Sequence, residues 1–263
     1  MPDGTKNRAE ELAKGYTWRH RVYELGGITG AFIMGSWLTI RLVRSPAISG
    51  WWVPLGLFLG ILAADFVSGF AHWLFDSWGN LDTPVLGKLA IRTFREHHVD
   101  QKAITRHDFI ETNGHNLGLS IVPSSLGVYV LDPEAPSLGT TFAGMFLIFM
   151  ALFVGSTSQI HKWAHQTRPG VVVRFLQRMH LVLAPEHHAL HHEPPYDRNY
   201  CITVGWLNGP LRAVRFFQIL ERVITALTGA VPRLDDIGEK QALADLAAKA
   251  SEGEQKIELP EGS

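Results

Sequence analysis

The sequence has very little cysteine and almost no net charge. Cys201 is the single cysteine among 263 residues. One thiol cannot form an internal disulfide or build a cysteine-rich zinc or iron–sulfur site, so histidine and carboxylate remain as metal ligands. The formal net charge is -1, whereas a nucleic-acid-binding protein is expected to present a basic surface. We therefore expect no nucleic-acid partner. A His-Glu-x-x-His helix is also absent, which argues against zinc-dependent peptide hydrolysis.

Long apolar runs lie before residue 160, whereas the chain after residue 232 is polar. An apolar stretch of about 20 residues can cross a bilayer as a helix. The spans we expect are Leu25–Val43, Trp51–Leu74, Leu138–Ser156 and, as either a span or a re-entrant segment, Leu117–Leu131 with its Pro123. The sequence therefore predicts an all-α, multispanning transmembrane helical bundle with about four spans.

This pattern divides the chain into three regions. Residues 1–24 are a polar N-terminal arm, residues 25–230 form the membrane domain, and residues 231–263 are a polar tail that we expect to be mobile. Within the membrane domain, residues 171–183 predict a short amphipathic helix. Residues 211–227 alternate arginine with apolar side chains, a pattern that favours a helix lying on the membrane surface.

Four histidines fall within six positions, from His187 to His192. On a helix, His188 shares a face with His191 or His192 at i, i+3 and i+4, and His187 shares a face with His191. Neutral imidazole is a common ligand of iron, zinc and copper. This spacing favours a metal site over a solvated cluster of histidines.

Two further histidine pairs lie outside the apolar runs. His161 and His165 are an i, i+4 pair just beyond the last predicted span, so one helix face offers two imidazoles. His97 and His98 are adjacent and point about 100° apart on a helix. Such neighbours suit two adjoining metal ions.

The second predicted span contains an ionisable residue, Asp65, and such a residue within a span suggests a functional site. Asp65, His72 and Asp76 fall within about 40° of one helical face. The alternative is a polar contact between helices that takes no part in chemistry.

The distribution of basic residues predicts the topology, because lysine and arginine accumulate in short cytoplasmic loops. They are frequent in the N-terminal arm, at 88–106 and at 162–178, and they are absent from the turn at 132–137. Arg41 and Arg44 are exceptions, near the first turn on the other side. The pattern predicts a histidine-rich helical cap at the cytoplasmic face.

Nine histidines are candidate metal ligands: His72, His97, His98, His161, His165, His187, His188, His191 and His192. One ion with room for substrate takes three or four protein ligands, so this set suits a pair of ions, and iron fits it best. Seven residues are candidate partners of the ligand imidazoles: Asp65, Asp76, Asp100, His107, Asp108, Glu111 and His180. His107 is as well placed to be a ligand as to form a hydrogen bond within its loop.

Six motifs occur in order between residues 60 and 230: SGFAHW at 68–73, FREHH at 94–98, AITRHDFIETNG at 103–114, HKWAH at 161–165, HHALHH at 187–192 and CITVGWLN at 201–208. They resemble the plasmanylethanolamine desaturase family of membrane lipid desaturases. The family's two histidine boxes fall on His161 to His165 and His187 to His191. The resemblance implies two iron ions that use O2 to introduce the vinyl-ether double bond of plasmalogens into an ether phospholipid.

Electrons for such a reaction must come from another protein. The sequence contains no dinucleotide fingerprint, c-type haem motif or cysteine cluster, so a separate donor such as cytochrome b5 or ferredoxin is implied. The alternatives are an acyl-lipid desaturase acting on phosphatidylglycerol, a diiron hydroxylase, and a non-enzymatic histidine-rich metal transporter or storage protein. The membrane is either the bacterial inner membrane or the endoplasmic reticulum.

Overall fold

The computed structural model describes residues 10–47, 50–132, 135–193, 195–234 and 244. All regular elements in these residues are helical: α1 Trp18–Val43, α2 Trp52–Ser77, α3 Arg92–Val99, α4 Ala103–Arg106, α5 Phe109–Val130, α6 Leu138–His165, α7 Val171–Arg178, α8 Pro185–Ala189, α9 Asn208–Ala213 and α10 Phe216–Thr228, with a π-helical turn at Gly87–Ile91 before α3. Most of the predicted polar tail lies outside the described residues.

Four long helices form the bundle, so the prediction of an all-helical multispanning fold is confirmed. α1, α2 and α6 are long and apolar enough to cross a membrane. The segment predicted as a span or a re-entrant stretch belongs to α5, whose 22 residues would measure about 33 Å at 1.5 Å per residue. α5 continues through Pro123, although a proline removes the hydrogen bond to the carbonyl of residue i−4, here Leu119.

The first predicted span starts seven residues earlier than expected, since α1 begins at Trp18 rather than Leu25. The polar side chains in these extra turns hold α1 beside α5. Arg21 forms an ion pair with Asp108, with 2.5 Å between Nη1 and Oδ2. The end of the polar arm is therefore part of the first long helix.

The long helices pack in the order α1, α5, α6 and α2. Polar contacts join the start of α5 to the end of α6: Lys162 Nζ donates to the carbonyl of His107 at 2.6 Å, and Asn113 Nδ2 donates to Gln159 Oε1 at 3.2 Å. One border of the bundle thus contains the N-terminal ends of α1 and α5 and the C-terminal end of α6. At the other border, Arg41 donates to the carbonyls of Val128 and Leu131 at the end of α5.

The predicted amphipathic segments are interrupted by left-handed residues. α7 ends at Arg178, and His180 has a φ of 54°. The segment at 211–227 is divided between α9 and α10 by Arg215, with a φ of 55°. α10 buries Phe217 and Glu221 and leaves other apolar side chains exposed.

A buried ion pair fastens the end of the described chain to α2. Arg233, 1% exposed, donates to both carboxylate oxygens of Glu221, at 2.6 and 3.0 Å, and to the hydroxyl of Tyr200 at 3.3 Å. The indole of Trp73 donates to the same carboxylate at 3.1 Å. This network holds α10 and the chain around Tyr200 against α2.

We expect Glu221→Gln to lower the free energy of unfolding by about 3 to 5 kcal/mol, because it leaves the buried Arg233 guanidinium without its counter-charge. The double variant Glu221→Leu with Arg233→Met should lose less, since it removes both charges. Thermal unfolding of the purified variants in detergent checks the order. A Glu221→Gln protein as stable as the wild type would contradict it.

Candidate metal centre

Two adjoining groups of ligand-type side chains lie at the border where α6 ends. The five-histidine group comprises His97, His161, His165, His188 and His192. The His–Asp group comprises His72, Asp76, His98 and His191. In each group, one potential ligand atom per residue lies within 4.8 Å of all the others. The groups are close together, since the rings of His72 and His161 are 5.9 Å apart.

The Nε2 atoms of the five-histidine group converge on a common centre. The Nε2 atom of His188 lies 2.8 Å from those of His161 and His165 and 3.0 Å from that of His192, which in turn lies 3.0 Å from that of His97. Two nitrogens about 2.1 Å from one ion are about 3.0 Å apart at a right angle and about 3.4 Å apart at the tetrahedral angle. The observed spacings are those of ligands around one ion.

The His–Asp group is arranged around the carboxylate of Asp76. The Nε2 atoms of His72 and His191 lie 3.2 and 3.3 Å from Asp76 Oδ2, and that of His98 lies 3.5 Å from Oδ1. Both oxygens are buried and have no hydrogen-bond partner within the described part of the chain. Since buried polar atoms are almost always satisfied, these oxygens fit the role of metal ligands.

Short helices distribute neighbouring histidines between the two groups. His97 and His98 are consecutive on α3, and the turn of about 100° between them directs one ring to each group. His188 and His192 share the five-histidine group at i, i+4, while His191 belongs to the His–Asp group. α8 itself ends at Ala189, so the stretch from His187 to His192 is only partly helical and continues in non-helical turns.

Backbone carbonyls orient two of the imidazoles. His72 Nδ1 donates to the carbonyl of Tyr200 at 3.1 Å, and His191 Nδ1 donates to the carbonyl of Arg198 at 2.9 Å. A proton held on Nδ1 leaves the lone pair of Nε2 free for a metal. Most of the predicted partners for this task were carboxylates, and no residue pattern in the sequence marks the carbonyls that orient these two rings.

The histidines of the five-histidine group outside the spans are neutral. Burial, followed by repulsion between neighbouring imidazoles, lowers the pKa of His97, His188 and His192 well below the usual range. A neutral imidazole is the form that binds a metal. The surroundings therefore prepare these rings as ligands.

His187 lies outside both groups. Its Nε2 atom accepts a hydrogen bond from Asn208 Nδ2 at 2.9 Å, and its carbonyl accepts one from Asn199 at 3.1 Å. The lone pair that a metal would need is therefore already used. The structure gives His187 a place in the packing of the loop at 199–208.

Three of the predicted carboxylate partners contact backbone or arginine. Asp65 accepts from the amides of residues 204, 205 and 207 at 2.8 to 3.0 Å. Asp100 pairs with Arg106. Asp108 caps the N-terminus of α5, and its pKa is lowered by the Glu111 amide and then by Arg21. These contacts position the helices and loops around the site, and none of them orients a ligand imidazole.

The other predicted partners have different positions. The Nε2 atom of His107 lies 3.6 Å from Glu111 and 3.8 Å from Glu96, so these side chains form a separate polar cluster. His180 is exposed, and its carbonyl accepts from the indole of Trp206 at 2.7 Å. Asp76, also predicted as a partner, lies among the candidate ligands instead, where its i, i+4 spacing from His72 could have placed it.

A cavity of about 490 Å³ connects the candidate ligands to the membrane helices. His72, His97 and His161 form part of its wall. Apolar side chains from three long helices form another part: Val67, Ala71 and Phe75 of α2, Leu119 and Val122 of α5, and Val154 of α6. An apolar chain that enters this cavity reaches both groups of ligands.

A membrane bundle with an apolar cavity beside metal-type ligands suits chemistry on a lipid chain. Residues 61–235 match the family described as Lipid desaturase domain. The protein is an integral membrane oxidoreductase that acts on a lipid substrate in the membrane.

Proteins of similar sequence identify the family within this class of membrane oxidoreductases. The chain is 48% identical to Plasmanylethanolamine desaturase of Myxococcus xanthus, over 91% of this chain and 84% of that protein. It is 41% identical to Plasmanylethanolamine desaturase 1 of Mus musculus, over 87% and 86% respectively. Fatty acid desaturase 4, chloroplastic, of Arabidopsis thaliana is 34% identical, over 82% and 65%. The chain belongs to the plasmanylethanolamine desaturase family of lipid desaturases. No solved structure matches it.

We expect His188→Ala to lose most of the metal bound by the five-histidine group, because the Nε2 atom of His188 lies within 3.0 Å of three other ligand nitrogens. His187→Ala is the matched control from the adjacent position, and it should keep the wild-type metal content. Elemental analysis of the purified variants by mass spectrometry, per mole of chain, checks both. Equal metal content in the two variants would contradict the grouping.

Proposed function

We propose that the chain forms the vinyl-ether double bond of plasmalogens, with plasmanylethanolamine as the substrate. Two relatives that carry the name plasmanylethanolamine desaturase are 48% and 41% identical to it, against 34% for the chloroplastic fatty acid desaturase. Hydrogen is removed from C1 and C2 of the alkyl chain beside the ether oxygen. The overall change consumes one O2, two electrons and two protons and releases two waters for each double bond.

The observation that carries this proposal is where the cavity wall formed by His72, His97 and His161 lies along the helices of the bundle. These histidines lie at the border of the bundle, close to the ends of α2 and α6. A phospholipid in the membrane has its headgroup and ether oxygen at that level, and the middle of its chains lies much deeper. The position supports reaction at the first carbons of the chain.

The proposed cofactors are two iron ions, one in each group. Five imidazoles, and three imidazoles with a carboxylate, are donor sets that suit iron. When bound, the iron pair supplies the activation of O2 and the oxidising power that an unactivated C–H bond requires. The chain's own contribution is to hold the ligands neutral, oriented and close together.

The cavity walls orient the substrate and exclude water. Val67 and Ala71 on α2 face the same cavity as Leu119 and Val122 on α5, so an alkyl chain can lie between these helices with α6 behind it. Exclusion of water from such a site prevents side reactions of the oxidant. We expect the lipid to enter sideways from the bilayer.

The electron donor is a separate protein of the cytochrome b5 or ferredoxin type. We place the histidine-bearing border at the cytoplasmic face, in the bacterial inner membrane or the endoplasmic reticulum, because the segments flanking it are rich in lysine and arginine. A donor in the cytoplasm would then meet the border nearest to the candidate ligands.

Acyl-lipid desaturation is the second candidate, favoured by the chloroplastic relative at 34% identity. That reaction leaves an ordinary alkene in an ester-linked chain. A vinyl ether, in contrast, is cleaved by acid to an aldehyde. The two products therefore differ in a simple chemical test.

We expect cells that contain 1-alkyl phospholipids and express the chain to form vinyl-ether lipids only in the presence of O2. Mass spectrometry should find the alkyl lipid minus two hydrogens, and acid should release fatty aldehyde from the product. His98→Ala, which removes a ligand of the His–Asp group, should abolish the product. Acid-stable unsaturation in acyl chains would support the second candidate, and an added oxygen would indicate a hydroxylase.

We expect the purified protein to contain close to two irons per chain, because the two groups offer separate ligand sets. Iron analysis, together with quantitative amino-acid analysis, measures the ratio. Product formation by protein that holds no transition metal would contradict the proposal. Catalysis with zinc as the sole metal would also contradict it, since zinc cannot change its redox state.

A further inference from the structure

The cavity beside the candidate metal centre has a second, polar wall on the α1 side. Four side chains line this wall: Tyr16, Tyr23, Glu24 and His115. Glu24 is 1% exposed. Tyr16 donates its hydroxyl proton to Glu24 Oε2 at 2.5 Å, and His115 Nδ1 lies 3.3 Å from Glu24 Oε1. One cavity therefore joins this wall to the histidines.

Glu24 is held deep between α1 and α5 because residue 114 is glycine. A Cβ atom at Gly114 would lie 2.3 Å from Glu24 Cβ, so any larger residue there would displace Glu24. Within the described residues, the ion pairs of Glu24 include His115 but no lysine or arginine. The nearby Arg21 pairs with Asp108 instead. His115 carries a charge only when protonated, so this buried carboxylate has no permanent counter-charge among these contacts and suits a cationic partner.

A second observation also indicates a ligand at this wall. The Nε2 atom of His115 is buried and has no hydrogen-bond partner in the part of the chain that the structure describes. Buried polar atoms are rarely left unpaired, and this ring lines the cavity. The neighbouring carboxylate Glu96 differs, because Arg92 pairs with it at 2.9 Å.

The aromatic rings around Glu24 add to its suitability for a cation. Tyr16 and Tyr23 both line the cavity, and the ring of Tyr23 lies 5.4 Å from that of His115. Burial, and then the hydrogen bond to Glu24, raises the pKa of Tyr16 to about 12, so its hydroxyl remains a donor. A carboxylate attracts an ammonium group by its charge, and aromatic rings that line the same cavity can add a cation–π attraction.

We propose that Glu24, with Tyr16, Tyr23 and His115, binds the ammonium group of an ethanolamine headgroup. The inference rests on the proposed function, in which the substrate is an ether phospholipid. With the ammonium at Glu24 and the alkyl chain between α2 and α5, the glycerol would lie between them and C1 and C2 would face the histidines. Headgroup binding then fixes both the lipid class and the carbons that react.

Binding of defined lipids to the purified holoprotein tests the proposal without turnover, in the absence of an electron donor. The probes are 1-alkyl-2-acyl lipids that differ only in headgroup: ethanolamine, N-acetylethanolamine and glycerol. Acetylation removes the charge but keeps the chain and the phosphate. Native mass spectrometry gives the dissociation constants. We expect the wild type to bind the ethanolamine lipid about tenfold or more tightly than the other two, as a charged hydrogen bond requires.

Variants test whether Glu24 causes the preference for the ethanolamine lipid. Glu24→Gln should bring the ratio of the dissociation constants close to one, whereas Glu10→Gln, at an exposed position, should keep the wild-type ratio. If Glu24→Gln is destabilised in thermal unfolding, Tyr16→Phe replaces it and should reduce the ratio in part. Equal binding of the three lipids by the wild type overturns the proposal, as does a wild-type ratio in a stable Glu24→Gln protein.

Lipid binding by the purified protein and product analysis in expressing cells together distinguish a failure of this proposal from a failure of the proposed reaction. A headgroup preference that depends on Glu24, without vinyl-ether product in expressing cells, supports the subsite and contradicts the reaction. Vinyl-ether product together with equal binding of all three headgroups supports the reaction and overturns the subsite.

Discussion

The structure depends on packing eight imidazoles and one carboxylate, each buried or half-buried, within a few ångströms of each other at one membrane border. Protonated imidazoles could not be packed in this way, because their charges would repel and burial would oppose ionisation. Neutral rings whose nitrogens face one another also repel through their lone pairs. A shared metal ion would remove that conflict. The helices, carbonyls and loops around the two groups serve to hold this arrangement in place.

Helical periodicity predicted much of this site. His161 and His165 contribute to one group because they are one turn apart, and His97 and His98 separate because they are adjacent. The apolar runs predicted the middle of each long helix, but not the polar first turns of α1 and α5. Helical periodicity could not show that His187 lies outside both groups. Its Nε2 atom accepts a hydrogen bond from Asn208, a residue distant in sequence. Contacts between residues distant in sequence leave no periodic signal.

Asp65 illustrates how an intramembrane charge can have a structural task. It was predicted to assist a ligand, yet its two oxygens accept hydrogen bonds from three backbone amides of the loop at 204–207. Gly205 in that loop has a φ of 77°, a conformation that suits glycine. The carboxylate thereby satisfies backbone groups that have no helix to pair with. The alternative prediction was a polar contact between helices, whereas the contact that Asp65 makes joins α2 to a loop.

Arg233 and Glu221 lie at the far end of the described chain, well after the last long helix. Proteins are made from the N-terminus, so the four long helices can enter the membrane before His188, His191 and His192 leave the ribosome. The ion pair that holds α10 against α2 forms only when residue 233 has been made. A metal ion that arrives before this point would therefore meet an incomplete ligand set, so the order of synthesis favours metal binding after the long helices have been made.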